Sequence, residues 1–94
     1  MTLDFERSAR PERVPSVAWR IVAEEAVMVL PSTARVHTLN PAATRFWELA
    51  DGSRTIGDIV GSMSDEFDET SEKIDADCQI FVAELIERQL ITLS

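Results

Sequence analysis

The chain has 94 residues and a net charge of −8, from nine Lys and Arg against seventeen Asp and Glu. Nucleic-acid binding draws on a surplus of cations to displace counterions from phosphate, so the balance argues against DNA, RNA and anionic membranes as partners. No apolar run approaches the ~20 residues that cross a bilayer, and Met1-Thr-Leu-Asp-Phe-Glu-Arg7 lacks the apolar stretch of a secretory signal. The expectation is one cytoplasmic domain built round a single core.

Residues 1–14 are polar, contain Pro11 and show no period, which predicts a flexible N-terminal arm closed by Val14-Pro15; the domain proper is then 15–94. Val17–Ala23 and Ala26–Leu30 are rich in β-branched residues and joined by Glu24-Glu25, a hairpin with poor turn chemistry. Pro31-Ser-Thr-Ala34 marks a second turn, and Arg35–Leu39 a third strand. Short links between successive strands give an antiparallel meander.

Asn40-Pro41 opens a helix, with Asn as N-cap and Pro at the first helical position. It runs to about Ala50 with Ala43, Phe46, Trp47 and Ala50 on one stripe, and Asp51-Gly52 ends it. Thr55 caps a second helix, with Asp58 three residues on as a variant capping box and Ile56, Ile59, Val60 and Met63 at helical spacing. Residues 64–70 read as a charged loop with Phe67 tucked in. A third helix spans Ser71–Arg88 on Ile74, Cys78, Phe81 and Leu85, widened by Val82 and Ile86. Leu90–Leu93 reads as a last short strand. The predicted class is α+β: a three-stranded antiparallel sheet followed by a three-helix cluster, the element order of a winged helix-turn-helix.

Residues suited to catalysis are scarce. Gly52, Gly57 and Gly61 stand apart, so no phosphate loop exists; there is one His, no Tyr, and no Ser–His–Asp arrangement. Cys78, the only cysteine, lies between Asp77 and Gln79 at an apolar-periodic position and reads as a buried structural thiol. No residue spacing suits a metal or cofactor. The pairs Asp65/Glu66 and Asp68/Glu69 read as solvated charge. The sequence predicts a protein that is not an enzyme.

Binding features are better developed. A meander has two edges, and an edge is a row of unpaired N–H and C=O groups that can accept an extended peptide as another strand. The strand at 35–39 is the candidate, with Gln79, Val82 and Ile86 as an opposite wall; Val82 and Ile86 serve equally well as cover for the core beneath the last strand. Another copy of the chain closing the edge would give a homodimer. Trp47 is assigned to the core, while Trp19 could face either side of its strand.

Val36-His-Thr-Leu-Asn-Pro-Ala-Ala-Thr-Arg-Phe-Trp-Glu-Leu-Ala-Asp-Gly52 resembles the PqqD family, whose pattern is a short strand ending in Leu-Asn and a small-residue helix closing in Asp-Gly. Arg54-Thr-Ile-Gly-Asp-Ile-Val60 is similar to that family's second helix, and Asp77–Ile91 to its C-terminal helix and strand. The resemblance runs from about Pro15 to Leu93 and departs from the pattern at Gln89, where family members often carry Gly, and in the arginine-bearing arm. It implies a winged-helix-like peptide chaperone, a RiPP recognition element. Such a protein binds the leader of a ribosomally made precursor as a strand and delivers it to a modifying enzyme, often a radical SAM protein. Carried over, the peptide-binding positions are Arg35, Val36, His37, Thr38 and Leu39 with the helix face Asp75, Gln79, Val82 and Ile86. The competing readings are a winged-helix DNA-binding regulator and a non-catalytic subunit of another complex.

Overall fold

The computed structural model describes residues 5–30 and 32–94. Five strands and three helices follow one another as β1 (Pro11–Arg13), β2 (Ala18–Val22), β3 (Glu25–Leu30), β4 (Arg35–Thr38), α1 (Pro41–Leu49), α2 (Ile56–Phe67), α3 (Ser71–Glu87) and β5 (Ile91–Leu93). The main sheet is antiparallel in the order β2-β3-β4, while β1 and β5 pair with each other in a separate two-stranded sheet. The meander and the three helices stand as the sequence predicts. Among the described residues, no helix is long and apolar enough to cross a membrane.

The central strand sets the faces of the sheet. Along β3, Ala26, Met28 and Leu30 are buried while Glu25, Val27 and Val29 are half-buried, the period of two expected of a strand with one face on a core. Cross-strand partners share a face, so Trp19, Ile21, His37 and Arg35 lie on the helix side with Ala26, Met28 and Leu30. Arg20, Val36 and Thr38 lie on the outer side with Val27 and Val29. The β2–β3 turn is Ala23-Glu24, one residue earlier than Glu24-Glu25. Both central residues have positive φ (50° and 67°), the primed-turn geometry that matches the twist of a two-residue hairpin. Burying the Ala26/Met28/Leu30 face fixes this register at the expense of two residues ill suited to left-handed backbone.

The helices are fastened where the sequence places their caps. The Asn40 side chain accepts the Ala43 N–H at 2.8 Å, and Thr55 and Asp58 form a reciprocal capping box, each bond 3.0 Å. Thr44 of α1 joins helix to sheet: its hydroxyl accepts the Ala26 N–H at 2.8 Å and donates to the Leu39 carbonyl at 3.2 Å. One hydroxyl thus replaces the ladder bond that β4 gives up as it turns into α1. Beneath it, Phe46 and Trp47 are fully buried with Met28, Ile56, Ile59, Met63, Cys78, Val82 and Leu85, each of the larger groups contributing roughly 1.5–3 kcal/mol by leaving water. Trp19 faces the core side, edge-on to Trp47 at 5.8 Å between centroids, with the Arg13 guanidinium 5.2 Å from its ring.

Three expectations are corrected. The arm predicted over 1–14 is in part structured: Pro11–Arg13 are β1, paired Pro11↔Leu93 to Arg13↔Ile91, and Phe5 and Ala9 pack against the core. Residues 1–4 of that arm, and Pro31 of the predicted second turn, lie outside the described residues. Second, α2 continues to Phe67, because nothing in Ser64–Phe67 breaks a helix and the Glu66 carboxylate is held in a double hydrogen bond by Arg45. Phe67 is consequently exposed rather than tucked in. Third, α1 stops at Leu49 rather than at about Ala50, which is its C-cap, and Gly52, at φ 85°, takes the left-handed backbone two residues past that cap.

Candidate functional site

β4 is an edge strand, and its outward-facing groups follow from the ladder. Leu39 donates to Ala26 O at 3.0 Å, so the closely bonded pairs continue at His37/Met28 and Arg35/Leu30. The alternate residues, Val36 and Thr38, turn their N–H and C=O groups away from the sheet. Among the described residues no strand pairs with that side; β5, the segment best placed in sequence to do so, is taken by β1. Val36, on the outer face, is 66% exposed.

Beside this edge runs a groove of about 600 Å³ between β4 and the C-terminal half of α3, lined by Leu30, Thr33, Arg35, His37, Glu84, Glu87, Arg88 and Gln89. A shallower recess of about 510 Å³ over the strand itself is lined by Arg35, Val36, His37, Thr38 and Arg88. Ile80, one turn before Glu84 on the same flank, is 55% exposed, and Phe81 forms the lip between this flank and the core through its contact with Phe46.

The expected site residues divide into two sets. Arg35, Val36, His37 and Thr38 lie together on β4, and Leu39 follows, buried, as the pivot into α1. Asp75, Gln79, Val82 and Ile86 do not face them. At 100° per residue, that stripe points about 155° round α3 from the stripe of Ile80, Glu84, Glu87 and Arg88, the last three of which line the groove. Val82 is completely buried in the core. Asp75 forms an ion pair with Arg7, and Gln79 hydrogen-bonds the backbone of Phe5. Ile86 lies on the Gln79 side, half exposed. The difference has a physical origin: Val82 is taken by the core and Asp75 and Gln79 by the N-terminal segment, which leaves only Ile86 of that flank exposed. Glu84, Glu87 and Arg88 carry no apolar period that would single them out in sequence, and the structure alone shows them lining the groove beside the exposed Ile80.

Electrostatically the groove is mixed within a strongly acidic protein. Elsewhere Arg45 pairs with Glu66 and Glu48, Arg54 with Asp51, and Lys73 with Asp77. The hydrogen bond from Arg45 lowers the Glu66 pKa, and bonds from Ser53 bring Asp51 down to about 2. Cys78 lies on the core side of α3; burial, then Asp75 and Asp77, push its thiol up to about 12, so it is a packing group rather than a nucleophile.

The family model described as Coenzyme PQQ synthesis protein D (PqqD) matches residues 25–91, from the start of β3 to the start of β5. Comparison with curated protein sequences gives no match. Among solved structures the fold is similar to TbiB1, determined in complex with the TbiA(beta) leader peptide. The TM-score is 0.78 at 19% identity, over 85% of this chain and 93% of that one.

Proposed function

The chain belongs to the PqqD family, and we propose that it binds the leader of a ribosomally made precursor peptide as a fourth strand on β4 and presents it to a separate modifying enzyme. The observation that carries this reading is the open edge: Val36 and Thr38 turn four backbone groups toward a groove walled by α3, with β5 committed elsewhere. An added strand would draw affinity from those main-chain bonds and selectivity from its alternate side chains, half toward α3 and half over Val27, Val29 and Val36. The relative TbiB1, solved with a leader peptide, supports the class of ligand.

The role asks for no chemistry from the chain itself; the reaction belongs to the partner enzyme, for which the radical SAM class is the proposed candidate, in the cytoplasm where such precursors are made. The rival DNA-binding reading is disfavoured by the helices that would have to approach phosphate. α3 carries Glu72, Asp75, Asp77, Glu84 and Glu87 against Lys73, itself paired with Asp77, and α2 carries no Lys or Arg.

The test is an amide-shift titration with a synthetic peptide taken from the N-terminal segment of a short reading frame encoded beside this chain. Val36 and Thr38 are expected to move most, followed by Glu84 to Arg88. Shifts confined to β2, or to β1 and β5, would overturn the proposal.

A further inference from the structure

Resting on the strand-addition reading above, we propose that the groove selects for a carboxylate side chain: an Asp or Glu of the peptide, on the α3-facing side of the added strand, held between Arg35 and Arg88. The argument starts from an accounting of the nine cations. Arg7, Arg45, Arg54 and Lys73 are in ion pairs. The guanidiniums of Arg10 and Arg13 donate to backbone carbonyls, Arg10 to Ser53 and Arg13 to both Trp47 and Glu48. Arg20, Arg35 and Arg88 remain: among the described residues their guanidiniums enter neither an ion pair nor a hydrogen bond to a carbonyl, although the chain offers seventeen carboxylates.

Two of these three line one recess, and that recess, bounded by Arg35, Val36, His37, Thr38 and Arg88, contains no carboxylate of its own. In so acidic a protein, two guanidiniums outside any ion pair on one carboxylate-free recess form a local reversal of charge. They stand more than fifty residues apart in sequence and meet only because the fold brings β4 and the residue that ends α3 to one recess. Glu84 and Glu87 border the wider groove but make no ion pair with either arginine. They make the deeper wall unfavourable to a second acidic group, which confines the preference to the lip.

Sheet geometry assigns the position. Arg35 and His37 share the helix side, so a peptide residue opposite either of them faces α3 and enters the recess; its neighbours turn to the outer face beside Val36. Guanidinium groups recognise carboxylates through parallel N–H donors, with a directional fit that an amide of equal size does not reproduce.

The experiment uses a library of capped twelve-residue peptides randomised at every position, selected against the whole chain and against Arg35→Glu, Arg88→Glu and the double variant. Both side chains are exposed, and circular dichroism of these variants and of Arg35→Gln and Arg88→Gln checks the fold. The inference expects Asp or Glu to be enriched at one position, giving way to Lys or Arg in the reversed variants. Affinity for the selected acidic peptide should fall on the order of tenfold for each single Gln variant. Peptides that shift the Val36 and Thr38 amides without acidic enrichment would overturn this inference and leave strand addition standing. Selected peptides that leave those amides unmoved would overturn both.

Discussion

Gln79 holds Phe5 by its main chain. Its Oε1 accepts the Phe5 N–H at 2.6 Å and its Nε2 donates to the Phe5 carbonyl at 3.1 Å, so a side-chain amide acts as one rung of a ladder to a segment 74 residues away in sequence. The segment continues as a helix cap: Arg7 O accepts from Gly57 N at 3.0 Å and Ala9 O from Ile56 N at 2.9 Å, two donors of the first turn of α2 that no preceding turn can satisfy. Residues expected as a loose arm therefore cover one flank of α3 and cap the start of α2.

Replacing this amide separates structure from binding. Gln79→Ala leaves the Phe5 N–H and C=O, part-buried, without their partners, and is expected to lower unfolding free energy by about 1–2 kcal/mol. Urea denaturation measures that loss, and hydrogen exchange should show Phe5 and Gly57 released first. Peptide affinity should not change, because Gln79 faces away from the groove. A variant of native stability with weakened peptide binding would return Gln79 to the binding wall.

The direction of one N–H on β4 supports a second test. Thr38 donates outward, so Thr38→Pro removes a bond to the incoming strand and none to β3. The fold should persist while peptide affinity drops by about tenfold or more. His37→Pro, whose N–H belongs to the ladder with Met28, should instead destabilise the sheet. Calorimetric titration of a folded Thr38→Pro protein with undiminished affinity would move the site to the β2 edge.

Gln89 explains the departure from the family pattern. It has φ 61° just past the end of α3, the left-handed position that Gly occupies without strain. Gln89→Gly should therefore stabilise the protein by about 1 kcal/mol, read as a melting temperature about 4–8 °C higher. At Gly52, with φ 85°, an added Cβ would lie 3.0 Å from the Glu12 carboxyl group, so Gly52→Ala should move the melt the other way.

What the sequence made legible was local. Asn40-Pro41 and the Thr55/Asp58 box are bonds between residues three apart, and both stand where composition places them. The meander followed from valine-rich runs and short links. The hairpin was displaced because Ala23-Glu24 carries no Gly, Asn or Asp to mark a left-handed turn; pairing with the buried face of β3 decided it. The extension of α2 is secured by Arg45, 21 residues from Glu66, and β1 exists through its pairing with β5 at the far end of the chain. That the strand at 35–39 forms an edge of the sheet was legible, since an edge is defined by neighbours in sequence. The wall opposite was not, because which of two flanks of α3 is free depends on where Phe5 and Arg7 go.

The two tryptophans lie together at the junction of β2 and α1, and the chain contains no tyrosine. All useful ultraviolet emission therefore originates from one corner of the molecule. That corner is separated from β4 by two strand spacings, about 10 Å, with one indole sealed and the other half in solvent beside an arginine. Such a pair is a native gauge of whether the domain is intact and is blind to events at the opposite edge, so occupancy of that edge has to be followed with a dye on the incoming peptide.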